Sequence, residues 1–470
     1  MTANNIVQRI WSLCNVLRGD GISYHKYIAE LTYLLFLKIA EENNTEDRLP
    51  KGYRWNDLAN YNGDNLLGYY QEMLTHLGAT ASNKIVKEIY AFPTTVFSHS
   101  ENLRVVIDGI KKIDWHSVSE DGIGQIYEGL LAKNSEDARS GAGQYFTPRA
   151  LVDCIIKLTK PGLGELIQDP AIGTGGFIIS ADHYIREVNK SKDYERKPPL
   201  YEGVEIERGT YRICLMNTFL HRMNAKIYLG DALTSDAHVL SKADVILANP
   251  PFGSKVGSAR KTRSDFDYPT SNKQLEFLQH IYNGLKHGGR AAVVLPDNVL
   301  FEDGIGRKIR QDLMEKCNLH TILRLPTGIF YSQGVKTNVL FFSRGETDRS
   351  NTKSVWIYDM RANMPQFGKR TPLQMSYFEE FIKLFGDNAF GKSERTDLGT
   401  EGRFRCFSRK FIKDNNDNLF INWLGSSESN LDSTINSESL ALETIEALEN
   451  AVISIKNIFE TLSSTKDNLR

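Results

Sequence analysis

The chain has 470 residues, 41% hydrophobic and 24% charged, which suits a globular protein of two or three domains. No apolar stretch approaches the roughly 20 residues needed to span a bilayer, and no basic segment leads into an apolar run at the N-terminus, so membrane-spanning and secreted proteins are both disfavoured. With 57 Lys and Arg against 58 Asp and Glu the net charge is −1, which excludes a long unaided grip on nucleic acid and leaves only a local or partner-assisted one.

Residues 1–140 read as a helical N-terminal domain. Tyr24 to Glu42 sets Ile28, Leu31, Leu35 and Ile39 at spacings of three and four, the pattern of an amphipathic helix. Gly122 to Lys133 reads as a second helix carrying Ile126, Leu130 and Leu131. No catalytic constellation occurs here, so packing or partner contact is its expected role. The five cysteines, Cys14, Cys154, Cys214, Cys317 and Cys406, are far apart and form no Cys-x-x-Cys pair. That argues against a zinc site and a disulfide framework and for a cytoplasmic protein with reduced thiols.

Residues 141–424 alternate strands with helices. Leu166-Ile167-Gln168, Tyr201 to Glu205, Lys226 to Leu229, Asp244 to Ala248 and Arg290 to Leu295 read as strands. Thr321 to Leu325 and Asn338 to Ser343 follow closely enough to form an antiparallel hairpin closing one sheet edge. The alternation predicts an α/β fold, a Rossmann-like doubly wound sheet with ligands at the strands' carboxyl ends.

After the first strand comes Asp169-Pro170-Ala171-Ile172-Gly173-Thr174-Gly175-Gly176-Phe177, then an apolar helix-like run. Gly173, Gly175 and Gly176 permit a tight turn and close approach of backbone to a ligand. Such turns alone also serve nicotinamide and flavin enzymes. Here Asp169 stands just before the glycines, suited to a positively charged amino group. Glu205, 29 residues past Gly176, can accept from both hydroxyls of a ribose. A dinucleotide fold places that acid nearer ~20 residues on. An amino acid joined to a nucleoside fits better, and S-adenosylmethionine is such a molecule. Asp231, after the third strand, is placed to accept from its adenine amino group. The competing reading makes each acid a turn or helix cap.

The fourth strand ends in Asn249-Pro250-Pro251-Phe252. Two prolines fix φ near −65° and donate no hydrogen bonds, so carbonyls there point outward in a rigid array. The Asn249 oxygen and a proline-segment carbonyl can accept both hydrogens of a planar amino group while Phe252 stacks on its face. Alone, Pro-Pro more often just ends a strand, with the aromatic ring in the core. Lys255, Arg260, Lys261 and Arg263 follow in a Gly/Ser-containing loop and are candidate phosphate contacts, or else a solvated charged loop.

Residues 425–470 open on the linker Gly425-Ser426-Ser427-Glu428-Ser429-Asn430. Ile445, Leu448, Val452, Ile455, Phe459 and Leu462 then recur at spacings of 3, 4, 3, 4 and 3, a coiled-coil-like seam. Docking on a partner helix is preferred to packing on its own body.

The order Gln144-Tyr145-Phe146-Thr147-Pro148, Asp169 to Phe177, Gly203-Val204-Glu205, Met216 to His221 and Asn249 to Phe252 resembles the DNA adenine-N6 methyltransferases. More closely, it resembles the modification subunits of type I restriction–modification systems. The likeness covers nearly the whole chain. It implies a site-specific, adenine-specific DNA methyltransferase in which Gln144, Tyr145, Phe146, Thr147, Pro148, Arg149, Thr174, Gly175 and Gly176 line S-adenosylmethionine. Glu205 would hold its ribose, and Asn249, Pro250, Pro251 and Phe252 would receive a flipped-out adenine. It further implies a separate specificity subunit that chooses the DNA sequence, usually flanked by two modification subunits, and a nuclease-motor subunit for cleavage. The chain agrees: little length remains after the last sheet strand for a DNA-reading domain.

Withdrawing both hydrogens from the amino group should localise the nitrogen lone pair, with positioning and preorganised electrostatics supplying the rate. A carbon-5 cytosine methylase needs a cysteine nucleophile, typically after proline, and no Pro-Cys pair exists. The same tetrad would also suit a protein glutamine amide, an RNA base or the N4 of cytosine in DNA. A catalytically silent assembly module is the remaining alternative, against which the intact motifs speak.

Overall fold

The apolar runs read from the sequence become strands of one nine-stranded sheet in a computed structural model of the chain. The structure describes residues 3–18, 24–115, 126, 147–253, 263, 265–330, 335–362, 364–365, 367–368 and 371–424. The expected helix over 122–133, apart from Ile126, and the expected linker and seam over 425–470 lie outside the described residues.

The strands are β1 (Leu166–Asp169), β2 (Leu200–Glu205), β3 (Ala225–Leu229), β4 (Ala243–Ala248), β5 (Leu285–Pro296), β6 (Cys317–Arg324), β7 (Thr337–Arg344), β8 (Ser354–Asp359) and β9 (Phe404–Ser408). Their order in the sheet is β3-β2-β1-β4-β5-β7-β6-β8-β9. The first five are parallel, as βα crossovers require. The expected hairpin exists: β7 pairs antiparallel with β6 and also with β5. It is not the last element of the sheet, since β8 joins β6 in parallel and β9 pairs antiparallel with β8. The run Val355-Trp356-Ile357-Tyr358 of β8 is a usable strand signal, whereas the shorter β9 alternates with charged and polar residues and is fixed by its pairing with β8.

Successive side chains of a strand face opposite sides. Val245 and Leu247 of β4 enter the core on one face, and Ile246 and Ala248 enter the core on the other. Burial on both faces is why these runs are continuously apolar.

Among the described residues, helices α1 (Ala3–Arg18), α2 (Tyr24–Glu42), α3 (Trp55–Ala59), α4 (Leu66–Thr80), α5 (Lys84–Ile89) and α6 (Ser100–Lys111) form the N-terminal part. Leu31, Leu35 and Ile39 of α2 are buried, but so are Thr32, Leu34, Phe36 and Leu37, so this stretch is enclosed on all faces rather than along the one stripe an amphipathic helix presents. Against the sheet lie α7 (Arg149–Thr159), α8 (Gly176–Val188) and α10 (Arg208–Leu220), with the short α9 (Ser191–Arg196) after α8. The opposite face carries α11 (Lys273–Gly284), α12 (Asn298–Phe301) and α13 (Ile305–Lys316). Two further short helices are α14 (Glu379–Phe385) and α15 (Arg409–Asp414).

The N-terminal helices dock on α10. Arg48 donates to the Phe219 carbonyl at 2.8 Å and stacks on its ring at 3.9 Å, while Arg212 lies 4.7 Å over Tyr33. Tyr211 donates to Glu88, and Phe36 meets Phe219 edge-on at 5.3 Å. No described helix is long and apolar enough to cross a membrane.

Candidate active site

Asp169 and Glu205 are the last residues of β1 and β2, Asp231 lies two residues beyond β3, and Asn249 directly follows β4. Because β3, β2, β1 and β4 are successive neighbours, these positions form one row along the carboxyl edge: Asp231, Glu205, Asp169, Asn249. Three interstrand spacings of ~4.8 Å put its ends on the order of 14 Å apart. The chain leaves β1 toward β2 on one side and β4 toward β5 on the other. The row therefore crosses the crevice where open α/β sheets take their ligands.

The glycine turn is built between the first two acids. Gly173 and Gly175 have φ of +56° and +91°, left-handed values that favour glycine. The Ile172 N–H donates to the Val204 carbonyl at 3.1 Å, and the Gly173 N–H donates to Glu205 Oε2 at 3.0 Å. The turn is thus stitched to the end of β2. Among the described residues no atom lies within 4 Å of the position a Gly173 side chain would occupy, so the turn presents an open backbone face to them. Gly175 is closed beneath by Cys214 of α10, whose Sγ lies 3.2 Å from where a β-carbon would stand.

Asp169 and Glu205 are buried, Asp231 is half-buried, and among the described residues no cation pairs with any of the three. Asp169 is 2% exposed, and burial, with the Glu205 charge adding to it, pushes its carboxyl up to about 8. Burial also raises Glu205, opposed by the Glu207 and Gly173 N–H groups that donate to it. Glu205 Oε1 accepts from the Glu207 N–H at 2.7 Å, and each carboxylate oxygen keeps capacity for a further donor. Asp231 Oδ1 accepts from the Leu233 N–H at 2.9 Å, so the capping reading describes part of its role. A row of acceptors beside an open glycine face, with one carboxyl held protonated for want of a positive partner, fits a ligand bearing hydroxyls and a cationic amino group.

Asn249 is half-buried, Pro250 buried, Pro251 exposed and Phe252 half-buried. The Asn249 Nδ2 donates to Thr147 Oγ1 at 2.9 Å, which brings the segment before α7 against the tetrad. Pro148 caps α7, and Arg149 pairs with Asp153 one turn on at 3.1 Å. Gln144, Tyr145 and Phe146 lie outside the described residues, as do Lys255, Arg260 and Lys261.

Arg263 departs from expectation. Its side chain is 11% exposed and makes a bidentate pair with Asp265 at 2.8 and 2.5 Å, stacks on Phe266 at 4.7 Å and meets His280. A guanidinium spent on a carboxylate is not presented to phosphate, and we remove it from the phosphate-contact set. Burial holds His280 down at about 3, and the neighbouring Arg263 charge lowers it further, so the ring stays neutral.

Two residues absent from the sequence reading of the site support it. Asn217, 1% exposed on α10, donates from Nδ2 to the Thr174 carbonyl at 2.9 Å and so holds the glycine turn. An Asn amid the apolar Met216-to-Leu220 run was a usable signal. Gln274 on α11, with its amide oriented to satisfy both ends, accepts from the Gly253 N–H at 2.7 Å and donates to its carbonyl at 3.1 Å. Gly253 has φ of +111°, and this clamp fixes the chain as it leaves Phe252. Nothing local in the sequence signals that contact.

Two family models match the chain, the HsdM N-terminal domain over residues 6–110 and N-6 DNA Methylase over residues 118–429. The type I restriction enzyme EcoKI methylase subunit of Escherichia coli strain K12 is 42% identical, over 99% of this chain and 97% of that protein. The crystal structure of the EcoKI M protein superposes with a TM-score of 0.57 at 38% identity, covering 95% of this chain and 94% of that one. A chain from a structure of type I restriction–modification complex assembly and conformational transition matches at TM-score 0.70 and 26% identity, covering 100% of both chains.

Proposed function

The chain belongs to the N-6 DNA methylase family as a methylase subunit of a type I restriction–modification system, and from that premise we propose how its residues carry the reaction. It is an S-adenosylmethionine-dependent methyltransferase that methylates the N6 amino group of adenine in DNA. The observation that carries the residue assignment is the single row of Asp231, Glu205, Asp169 and Asn249 along four neighbouring strand ends.

In this reading Asp231 accepts from the cofactor's adenine amino group, Glu205 from its ribose hydroxyls, and Asp169 takes its cationic amino group. Thr174, Gly175, Gly176 and the open face of Gly173 line it, with Gln144, Tyr145, Phe146, Pro148 and Arg149 on the tetrad side. The cofactor supplies an electrophilic sulfonium methyl. Asn249 Oδ1 and the Pro250 carbonyl accept the two hydrogens of the target amino group, and Phe252 stacks on the flipped base. Accepting both hydrogens favours a pyramidal nitrogen with its lone pair localised. These acceptors are fixed by proline and by packing, so little reorganisation accompanies the reaction.

Type I membership brings DNA, a specificity subunit and a restriction subunit as partners; we place two copies of this chain beside one specificity subunit. Lys255, Arg260 and Lys261 remain our phosphate contacts, and the cytoplasm our location. The division into 1–140 (helical), 141–424 (catalytic) and 425–470 (linker and docking helix) belongs to the same proposal.

Transfer of tritiated methyl to unmethylated DNA, with and without the co-encoded specificity partner, tests it. Asn249→Ala and Phe252→Ala should each abolish transfer while leaving cofactor affinity nearly intact. Normal turnover by either variant removes the tetrad from the reaction.

A further inference from the structure

We propose that Thr147 is a positioning residue for methyl transfer, supplying the acceptor that occupies the Asn249 amide nitrogen while its oxygen is committed to the target base. The inference rests on Asn249 being the amino-group acceptor proposed above. Its observation is the 2.9 Å hydrogen bond from Asn249 Nδ2 to Thr147 Oγ1, made between segments 102 residues apart.

A primary amide has two ends of nearly equal size, an oxygen that accepts and a nitrogen that donates. A target amino group brings only hydrogens, so only the oxygen can receive it productively. The nitrogen must then find an acceptor elsewhere, or the complex holds a donor without a partner. Thr147 provides that acceptor from a stiff support. Proline at 148 biases the residue before it toward extended backbone. Pro148 in turn caps α7, its carbonyl accepting from the Leu151 and Val152 N–H groups at 2.9 and 3.1 Å. Leu151, Val152, Ile155 and Ile156 bury that helix against the sheet. The hydroxyl is therefore carried by a rigid element, and the amide plane is held by a partner that cannot drift.

Thr147 was first read as a cofactor-lining residue, and the two roles separate by experiment. In single-turnover assays with the specificity partner present, Thr147→Val should slow methyl transfer about tenfold, the equivalent of one lost hydrogen bond. Cofactor Kd should stay unchanged, and Thr147→Ser should restore most of the rate. A wild-type rate for Thr147→Val overturns the proposal, as does a weakened cofactor Kd with an unchanged rate at saturation, which makes Thr147 a cofactor contact. Should Asn249→Ala itself turn over normally, the tetrad reading fails, whatever Thr147 does. An unchanged cofactor Kd in Thr147→Val also reports that the variant folds.

Discussion

Asp169 pits ligand binding against stability, and replacing it with Asn measures both. In the free protein its carboxyl is buried with no cation beside it among the described residues, and it is pushed up to about 8, against an ordinary value of 3.8. Between those two values the folded chain holds a proton that the unfolded chain releases. Rising pH therefore favours unfolding: the group's contribution is fully present below pH 4, declines up to pH 8 and is flat above it. At ~1.4 kcal/mol per pKa unit, the cost at pH 7 has an upper limit of about 4 kcal/mol. Asparagine resembles the protonated acid and keeps an oxygen for the Ala171 N–H, which donates to Asp169 Oδ1 at 2.9 Å. Asp169→Asn should thus stabilise the free protein, with a gap to wild type that opens between pH 5 and 8. Burial of Glu205 gives both proteins a pH slope of the same sign, so the gap isolates Asp169. Cofactor affinity should fall in the same variant, because a neutral amide offers a cationic amino group no charge. In wild type, cofactor binding below pH 8 should release protons, read by calorimetry in buffers of different ionisation enthalpy. Urea unfolding across that pH range decides the matter. No stability gain at any pH, or a gap that does not change with pH, refutes the account of this carboxyl.

Gly203→Ala on β2 would drive a β-carbon into Ile172 and within 2.9 Å of the Asp169 carbonyl. Overpacking against backbone costs about 1–3 kcal/mol, and the displaced turn should weaken cofactor binding in a fluorescence or calorimetric titration. Arg290 is 5% exposed and donates to Glu165 at 2.8 and 2.9 Å and to the Thr159 and Lys160 carbonyls. Arg290→Ala should lower stability by about 3 kcal/mol in urea unfolding, because it strips the end of α7 of its shared donor. An unchanged midpoint would show that other groups hold that junction. Gly173→Asp should abolish cofactor binding, since its side chain would fill the open face of the turn; retained affinity would move the cofactor elsewhere.

Local chain constraint made the glycine turn and the proline tetrad legible before any coordinates. Glycine permits left-handed backbone and proline forbids donation, whatever the rest of the chain does. Continuous apolar runs likewise marked β4 and the Ala291-to-Leu295 end of β5, because a parallel strand buried on both faces has no polar face to alternate. The pairing of β8 and β9, the clamp of Gln274 on Gly253 and the diversion of Arg263 to Asp265 and His280 carried no such local mark. Nor did the bond between Thr147 and Asn249. Each depends on where a distant segment returns, and burial deep enough to hold Asp169 protonated exists only once those segments have closed around it. Sequence determined which residues could do the chemistry; tertiary structure decided which of them meet and in what charge state, because contact and desolvation are properties of the closed packing.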